Sequence, residues 1–304
     1  MRAEYTYKAW LIASWAVRTD EIEPETRYTD PMRMGNGGTP AGRARIVGIR
    51  IAAIGDMHLK TEFPPELAES LIGIAQRADV LVIAGDITDQ GRLPEVELAA
   101  DVFRNLNLPI IAVLGNHDRR CLRRSAFRRI LENAGVTLLD GQSTTLPRLS
   151  GGCSVGFAGV GGYGGGFWPN EGPAGPTFRI SQAVAIRARR EAARLEQAIE
   201  SLHSDVKIAV MHYSPTATTL GDEPPVKYWM LGNSELAKVI DRHAIDLVIH
   251  GHAHLGNTHG RTLGGTPVRN VAVPVTGGPI TIELPVRLPD SNDQVGWEAI
   301  RQKA

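Results

Sequence analysis

Cysteine is scarce and net charge is absent. Two cysteines in 304 residues, Cys121 and Cys153, exclude a disulfide scaffold and a cysteine-based zinc cluster. Lys plus Arg number 33 and Asp plus Glu number 33, so nothing global draws the chain to nucleic acid or anionic membrane. No apolar run approaches the roughly 18 residues of a membrane span, and no internal repeat excludes an ordinary globular fold. The rest of the composition, 42% hydrophobic and 22% charged, is that of a soluble globular protein. At roughly 150 residues per domain the length suits two domains or one large α/β domain.

Residues 9–17 (AWLIASWAV) follow Arg2 and Lys8 as a short apolar run. Glu4 sits where an export signal would be basic, and the run is short for one, so a cytoplasmic location is expected. From Thr19 to Arg43 the chain is polar and rich in Pro and Gly. It holds too little apolar surface to offset its ordering entropy. A disordered extension over 1–44, a folded domain over 45–290 and a tail over 291–304 are expected.

In the body, short apolar runs alternate with helical patterns. Strands are read at 46–54, 80–85 and 109–115, with helices at 65–76, 94–105 and 120–133. Leu122, Phe127, Ile130 and Leu131 are placed on the inner face of the last. This β-α-β-α-β order implies a parallel sheet with right-handed crossovers. Strands follow at 136–139 and 153–160. A long helix at 181–202 starts from a Ser181 cap and carries Val184, Ala188, Ala192, Leu195, Ile199 and Leu202 on one stripe. Strand 207–212, helix 233–243 and strands 246–250, 268–275 and 279–286 complete the reading.

The polar clusters stand where the apolar strands stop. They are Asp56 and His58; Asp86 and Asp89; Asn116, His117 and Asp118; His212; and His252 and His254. The carboxyl ends of parallel strands share one edge, so clusters spread over about 200 residues can converge there. Asp, His and Asn without thiolate suit Mn, Fe, Zn or Ni. Asp56 and His58 are two apart, as are His252 and His254, so an extended segment would point each pair one way. Any one of these residues alone reads better as a satisfied polar group at a strand end.

Taken in order, D-x-H, G-D-x-x-D, G-N-H-D, H and G-H-x-H resemble the calcineurin-like metallophosphoesterases over residues 46–275. The resemblance implies a four-layer α/β/β/α sandwich of two mixed sheets with a dinuclear centre between them. It implies one divalent ion held by Asp56, His58, Asp86 and His254. The other would be held by Asp86, Asn116, His212 and His252, with Asp86 as the bridge. His117 would face the substrate and protonate the leaving group or stabilise charge. Asp118 would orient that imidazole, and Asp89 would stand behind the ligands. Two cations roughly 3.5–4 Å apart would clamp a phosphoryl group and activate water. The implied activity is hydrolysis of a small phosphoester, leaning to phosphodiesters or small nucleotides, with no duplex nucleic acid and no membrane as partner.

GDITDQG resembles the branch that contains cyclic-nucleotide phosphodiesterases. Met211 stands where that branch has the first of paired histidines. A protein phosphatase would carry Arg and Glu at Gln90 and Asp118. A phosphomonoesterase, or a non-catalytic scaffold that has lost ligands, are the competing readings.

Two segments remain. In 119–129 (RRCLRRSAFRR), Arg120, Arg123, Arg124 and Arg128 are either an anion-attracting surface or a solvated helix face. The glycine-rich loop 161–177 offers Tyr163 and Trp168, and His212 has Tyr213 beside it, as candidate substrate contacts. Phe167 in that loop, and Tyr228 and Trp229 in loop 214–230, either serve the site or pin the loops. His250 reads as a buried structural histidine.

Overall fold

The computed structural model describes residues 45–147, 149, 152–167, 170–171 and 178–288. The expected extension and tail, and Trp168, lie outside the described residues.

Apolar strands build two sheets. The first takes β1 (Arg45–Ile54), β2 (Val80–Ala84), β3 (Ile110–Val113) and β4 (Val136–Leu138) in parallel, with β13 (Ile280–Leu288) antiparallel along β1. The second runs β11-β12-β10-β9-β6-β5. Its middle, β6 (Val155–Val160), β9 (Val206–Met211), β10 (Leu247–His250) and β12 (Pro267–Asn270), is parallel. The edges β5 (Gln142–Leu146) and β11 (His259–Arg261) are antiparallel.

Period-two alternation in β1 explains the layering. Ile49, Ile51 and Ala53 face the second sheet and join Val155, Phe157, Ile208 and Ile249 in a shared core. Ala52 and Ile54 face α1 (Pro65–Ile72), α2 (Leu93–Phe103) and α3 (Arg124–Asn133), packing with Leu71, Phe103 and Phe127. On the far side, α4 (Phe178–Glu200) and the later helix Ser234–Arg242 cover the second sheet through Leu195, Ile199, Leu236 and Ile240. Strands buried on both faces read as continuous apolar runs, which is why they were visible in sequence. This is the four-layer sandwich with two mixed sheets.

Several local expectations change. α3 begins at Arg124, so Leu122 lies ahead of it and is 99% exposed rather than inward. α4 begins at Phe178, so Ser181 sits inside the helix and caps nothing there, although the six-residue stripe is buried as expected. The strand read at 268–275 stops at Asn270, and Val273–Thr276 forms a helical turn around Pro274. Loop 161–177 contains a small hairpin, Gly166–Phe167 with Asn170–Glu171. Loop 214–230 contains two 3₁₀ turns and runs into the short helix Tyr228–Leu231. Phe167 and Tyr228 pack against Leu220, Leu231 and Ala253, so these two rings pin loops to the body.

The sheets meet where the site forms. Gly55 N donates to Val271 O at 2.8 Å and Val273 N donates to Gly55 O at 2.9 Å, tying the end of β1 to the chain beyond β12.

Candidate metal centre

Three of the five polar clusters leave their strands through left-handed turns. Among the described residues, the non-glycine residues with left-handed backbone are Asp56, His58, Asp86 and His252, at φ of 56, 46, 49 and 70°. The extended arrangement expected for Asp56-x-His58 and His252-x-His254 is therefore wrong, because left-handed residues coil the chain at both places. Such backbone costs on the order of 1–3 kcal/mol per residue and needs support. Rungs between the first two loops supply it: Asp56 N to Gly85 O at 2.9 Å, His58 N to Asp86 O at 3.0 Å and Leu59 N to Ile87 O at 3.0 Å.

The carboxylates of Asp56 and Asp86, both buried, form the middle of the cluster. Asp56 Oδ1 lies 3.0 Å from His254 Nε2 and 3.8 Å from His58 Nε2, and Oδ2 accepts the His252 N–H at 2.8 Å. Asp86 Oδ2 lies 3.4 Å from His212 Nε2 and 3.8 Å from His58 Nε2. Its Oδ1 accepts the His117 N–H at 2.8 Å. Asn116 Oδ1 is 2.9 Å from His212 Nε2. Ligand-type atoms of Asp56, Asp86, His212 and His252 lie within 4.8 Å of one another, and so do those of Asp56, His58 and His254. The two sheets thus deliver two adjoining groups that share the Asp56 carboxylate.

The residues fit a cation. Both ring nitrogens of His58 are buried and have no hydrogen-bond partner, an arrangement that is costly for a neutral imidazole without a ligand. Carboxylate, imidazole and amide donors together match borderline divalent ions. The backbone is cut away around them: a Cβ on Gly115 would strike the Asp86 carboxylate, and one on Gly251 the Asp56 carboxylate. Burial opposes a charged His212, yet the Asp86 carboxylate raises its pKa to about 9. A proton and a cation would therefore compete for its Nε2. Burial lowers His252 to about 3, so that ring stays neutral.

His117 stands at the edge, half-buried, with its ring 4.5 Å from that of His58. Its Nδ1 donates to the Asp89 carbonyl at 2.5 Å, and Arg120 Nη2 lies 3.1 Å from its Nε2. Asp118 does not orient this imidazole. Its buried carboxylate accepts instead from Ile87 N, Thr88 N, Thr88 Oγ1 and Gly115 N, at 2.7–3.2 Å. It braces the loop of Asp86 against the loop of Asn116, because backbone donors crowd the position the sequence assigned to a ring. Asp89 Oδ1 is 3.7 Å from His58 Nδ1 and 3.9 Å from His117 Nδ1.

Of the aromatic candidates, Tyr213 lies 4.3 Å from the His252 ring and 6.1 Å from Tyr163, centroid to centroid. Sequence reasoning missed the supports of the last loop. Glu223 Oε1 accepts Leu255 N at 3.0 Å, and Asn270 Nδ2 donates to Ala253 O at 2.8 Å. No local pattern marks either residue; a buried acid in a loop becomes visible only in three dimensions.

His250 is fully buried, donating Nδ1–H to Gly251 O at 2.7 Å with Nε2 2.8 Å from Thr219 Oγ1. Burial lowers its pKa to about 4, against 6.5 unfolded. The unfolded chain therefore binds a proton that the folded chain refuses. Stability present above pH 6.5 is lost as pH falls toward 4, by about 3 kcal/mol at 1.36 kcal/mol per pKa unit. Urea midpoints of chelator-treated protein should fall over that window, and less steeply in His250→Gln.

The comparisons agree with this geometry. The family described as calcineurin-like phosphoesterase matches residues 49–256. A UDP-2,3-diacylglucosamine hydrolase from Enterobacter sp. (strain 638) is 25% identical over 240 residues, which are 72% of this chain and 88% of that one. A glycerophosphodiester phosphodiesterase, GpdQ, from Enterobacter lignolyticus (strain SCF1) is 36% identical over 70 residues. That match covers 23% of this chain and spans only 25% of the length of GpdQ. One solved structure superposes at a TM-score of 0.55 and 14% identity, over 80% of this chain and 100% of its own, which bears on the fold alone. No helix among the described residues is long and apolar enough to cross a membrane. Because the family match takes in every strand-end cluster from Asp56 to His254 and well over half of the chain, the protein belongs to the calcineurin-like phosphoesterases and is a phosphoester hydrolase.

Proposed function

We propose that the chain hydrolyses a phosphodiester or small nucleotide at two divalent ions. One would be held by Asp56, His58, Asp86 and His254, the other by Asp86, Asn116, His212 and His252. The observation that carries this reading is the pair of ligand groups that share Asp56, with Asp86 Oδ2 3.4 Å from His212 Nε2 in one and 3.8 Å from the unpartnered His58 Nε2 in the other. When bound, the ions would neutralise phosphoryl charge and acidify a water.

The chain's own groups do the rest. With Nδ1–H donated to the Asp89 carbonyl, Nε2 of His117, beside Arg120 Nη2 at 3.1 Å, is the nitrogen turned to substrate; as the imidazolium it would give its Nε2 proton to the leaving oxygen and keep Nδ1–H. Asp118 keeps the loops of Asp86 and Asn116 in register. Tyr213 and Tyr163 offer ring faces beside His252 for a base or sugar. The diester preference is supported by the relative named a glycerophosphodiester phosphodiesterase and by Gln90 and Asp118 at positions where protein phosphatases carry Arg and Glu.

Chelation of purified protein should remove at least about nine-tenths of its activity on bis(p-nitrophenyl) phosphate, and added Mn should restore it. Metal analysis should return about two ions per chain. Full activity after exhaustive chelation would overturn the reading.

A further inference from the structure

A cavity of about 120 Å³ lies on the α3 side of the Asn116–Asp118 loop. It is walled by Phe127 and Cys121 and ringed by Arg119, Arg124, Arg128 and Arg187. We propose that it is an anion subsite that takes a second phosphate of the substrate while the scissile phosphoryl group occupies the metal centre. This deepens the reading above and rests on it.

Three observations carry the proposal. First, the guanidiniums outnumber their carboxylates. Asp140 is shared by Arg119 at 2.8 Å and Arg194 at 3.0 Å. Arg128 leans on Glu132 at 3.3 Å. Arg124 and Arg187 have no carboxylate partner among the described residues. Asp118, also at the wall, is fully engaged by four donors.

Second, the arginines come from different elements. Arg124 opens α3 and Arg187 lies on α4, so their convergence is not the solvated face of one helix. At ~30 Å³ per water the space suits about four waters, the size class of a phosphate group. Phe127, only 1% exposed, closes the floor, while Arg124 and Arg187 are exposed and present their guanidiniums to an incoming anion.

Third, a file of side chains runs from the cavity wall to the metal centre. The Arg187 guanidinium carbon lies 4.8 Å from the Tyr163 centroid, Tyr163 is 6.1 Å from Tyr213, and Tyr213 is 4.3 Å from His252. A substrate with a ring between two phosphates would lay that ring along the tyrosines. The subsite therefore selects bis-anionic phosphodiesters over simple ones.

The test compares two esters on the Mn-loaded protein. They are thymidine 5′-(p-nitrophenyl phosphate) and the same ester with a 3′-phosphate. The 3′-phosphate should lower KM at least tenfold. In Arg124→Gln and Arg187→Gln that ratio should collapse toward one, while Arg104→Gln, an exposed arginine of the α2 C-terminus, should keep it. A wild-type ratio near one, or a ratio both variants preserve, overturns the subsite.

Calorimetry separates this failure from failure of the phosphodiester reading. If neither ester is cleaved, the phosphodiester reading falls. Thymidine 3′,5′-bisphosphate binding at least tenfold tighter than the 5′-monophosphate, with the preference lost in both variants, would then still support the subsite. Equal binding of the two would overturn it, whatever the esters do.

Discussion

Asp86→Ala should cost about 1,000-fold or more in turnover and take bound metal with it. Residues that merely orient a ligand are worth roughly 10–100-fold in metal affinity or activity. Asp86 does more than orient. Its Oδ2 reaches toward both His58 and His212, which belong to different ligand groups, while Oδ1 fixes the His117 N–H. Its charge also sustains the high pKa of His212. Alanine would disturb the loop as well as the charge, so Asp86→Asn is the sharper variant. It keeps an acceptor for His117 and loses the second anion. Turnover of bis(p-nitrophenyl) phosphate and metal per chain by emission spectrometry read the outcome. An Asn variant that retained a full complement of metal would overturn the proposed bridging role of Asp86.

His117→Ala should lower kcat by about 100- to 10,000-fold, the range for a general acid, with metal content unchanged. The structure poses a rival, since ligand-type atoms of His58, Asp89 and His117 also lie within 4.8 Å of one another. The two rings differ in their partners. His117 commits Nδ1 to a backbone carbonyl and has Arg120 beside Nε2, whereas His58 has neither nitrogen partnered. Leaving groups provide a further discriminator. An acid matters most when the departing alkoxide is a strong base, so the loss should be larger for an alkyl ester than for p-nitrophenolate. A drop in metal matching the drop in rate would make His117 a ligand instead.

The sandwich was legible because its central strands are buried on both faces and so appear as unbroken apolar runs such as VLVIA and IAVM. The site was legible because polar residues interrupt those runs at one edge. Other features left no local trace. The edge strand Gln142–Leu146 is half-exposed and has no apolar run; it exists because β6 presents an open row of backbone groups. Asp118 looked like a partner for its neighbour His117. Its carboxylate instead meets Thr88, thirty positions away, a contact that chain order cannot express. Leu122 matched a helical period that the chain abandons before Arg124. The arginines followed the same course: Arg120 lies in a 3₁₀ turn beside His117, while Arg124 meets an arginine from another helix across a cavity.

The left-handed turns at Asp56, His58, Asp86 and His252 set a trade between endurance and chemistry. Glycine would relax any one of them and would delete the donor that the turn exists to present. Engineering for heat tolerance has therefore to work elsewhere, in the helices or between the sheets.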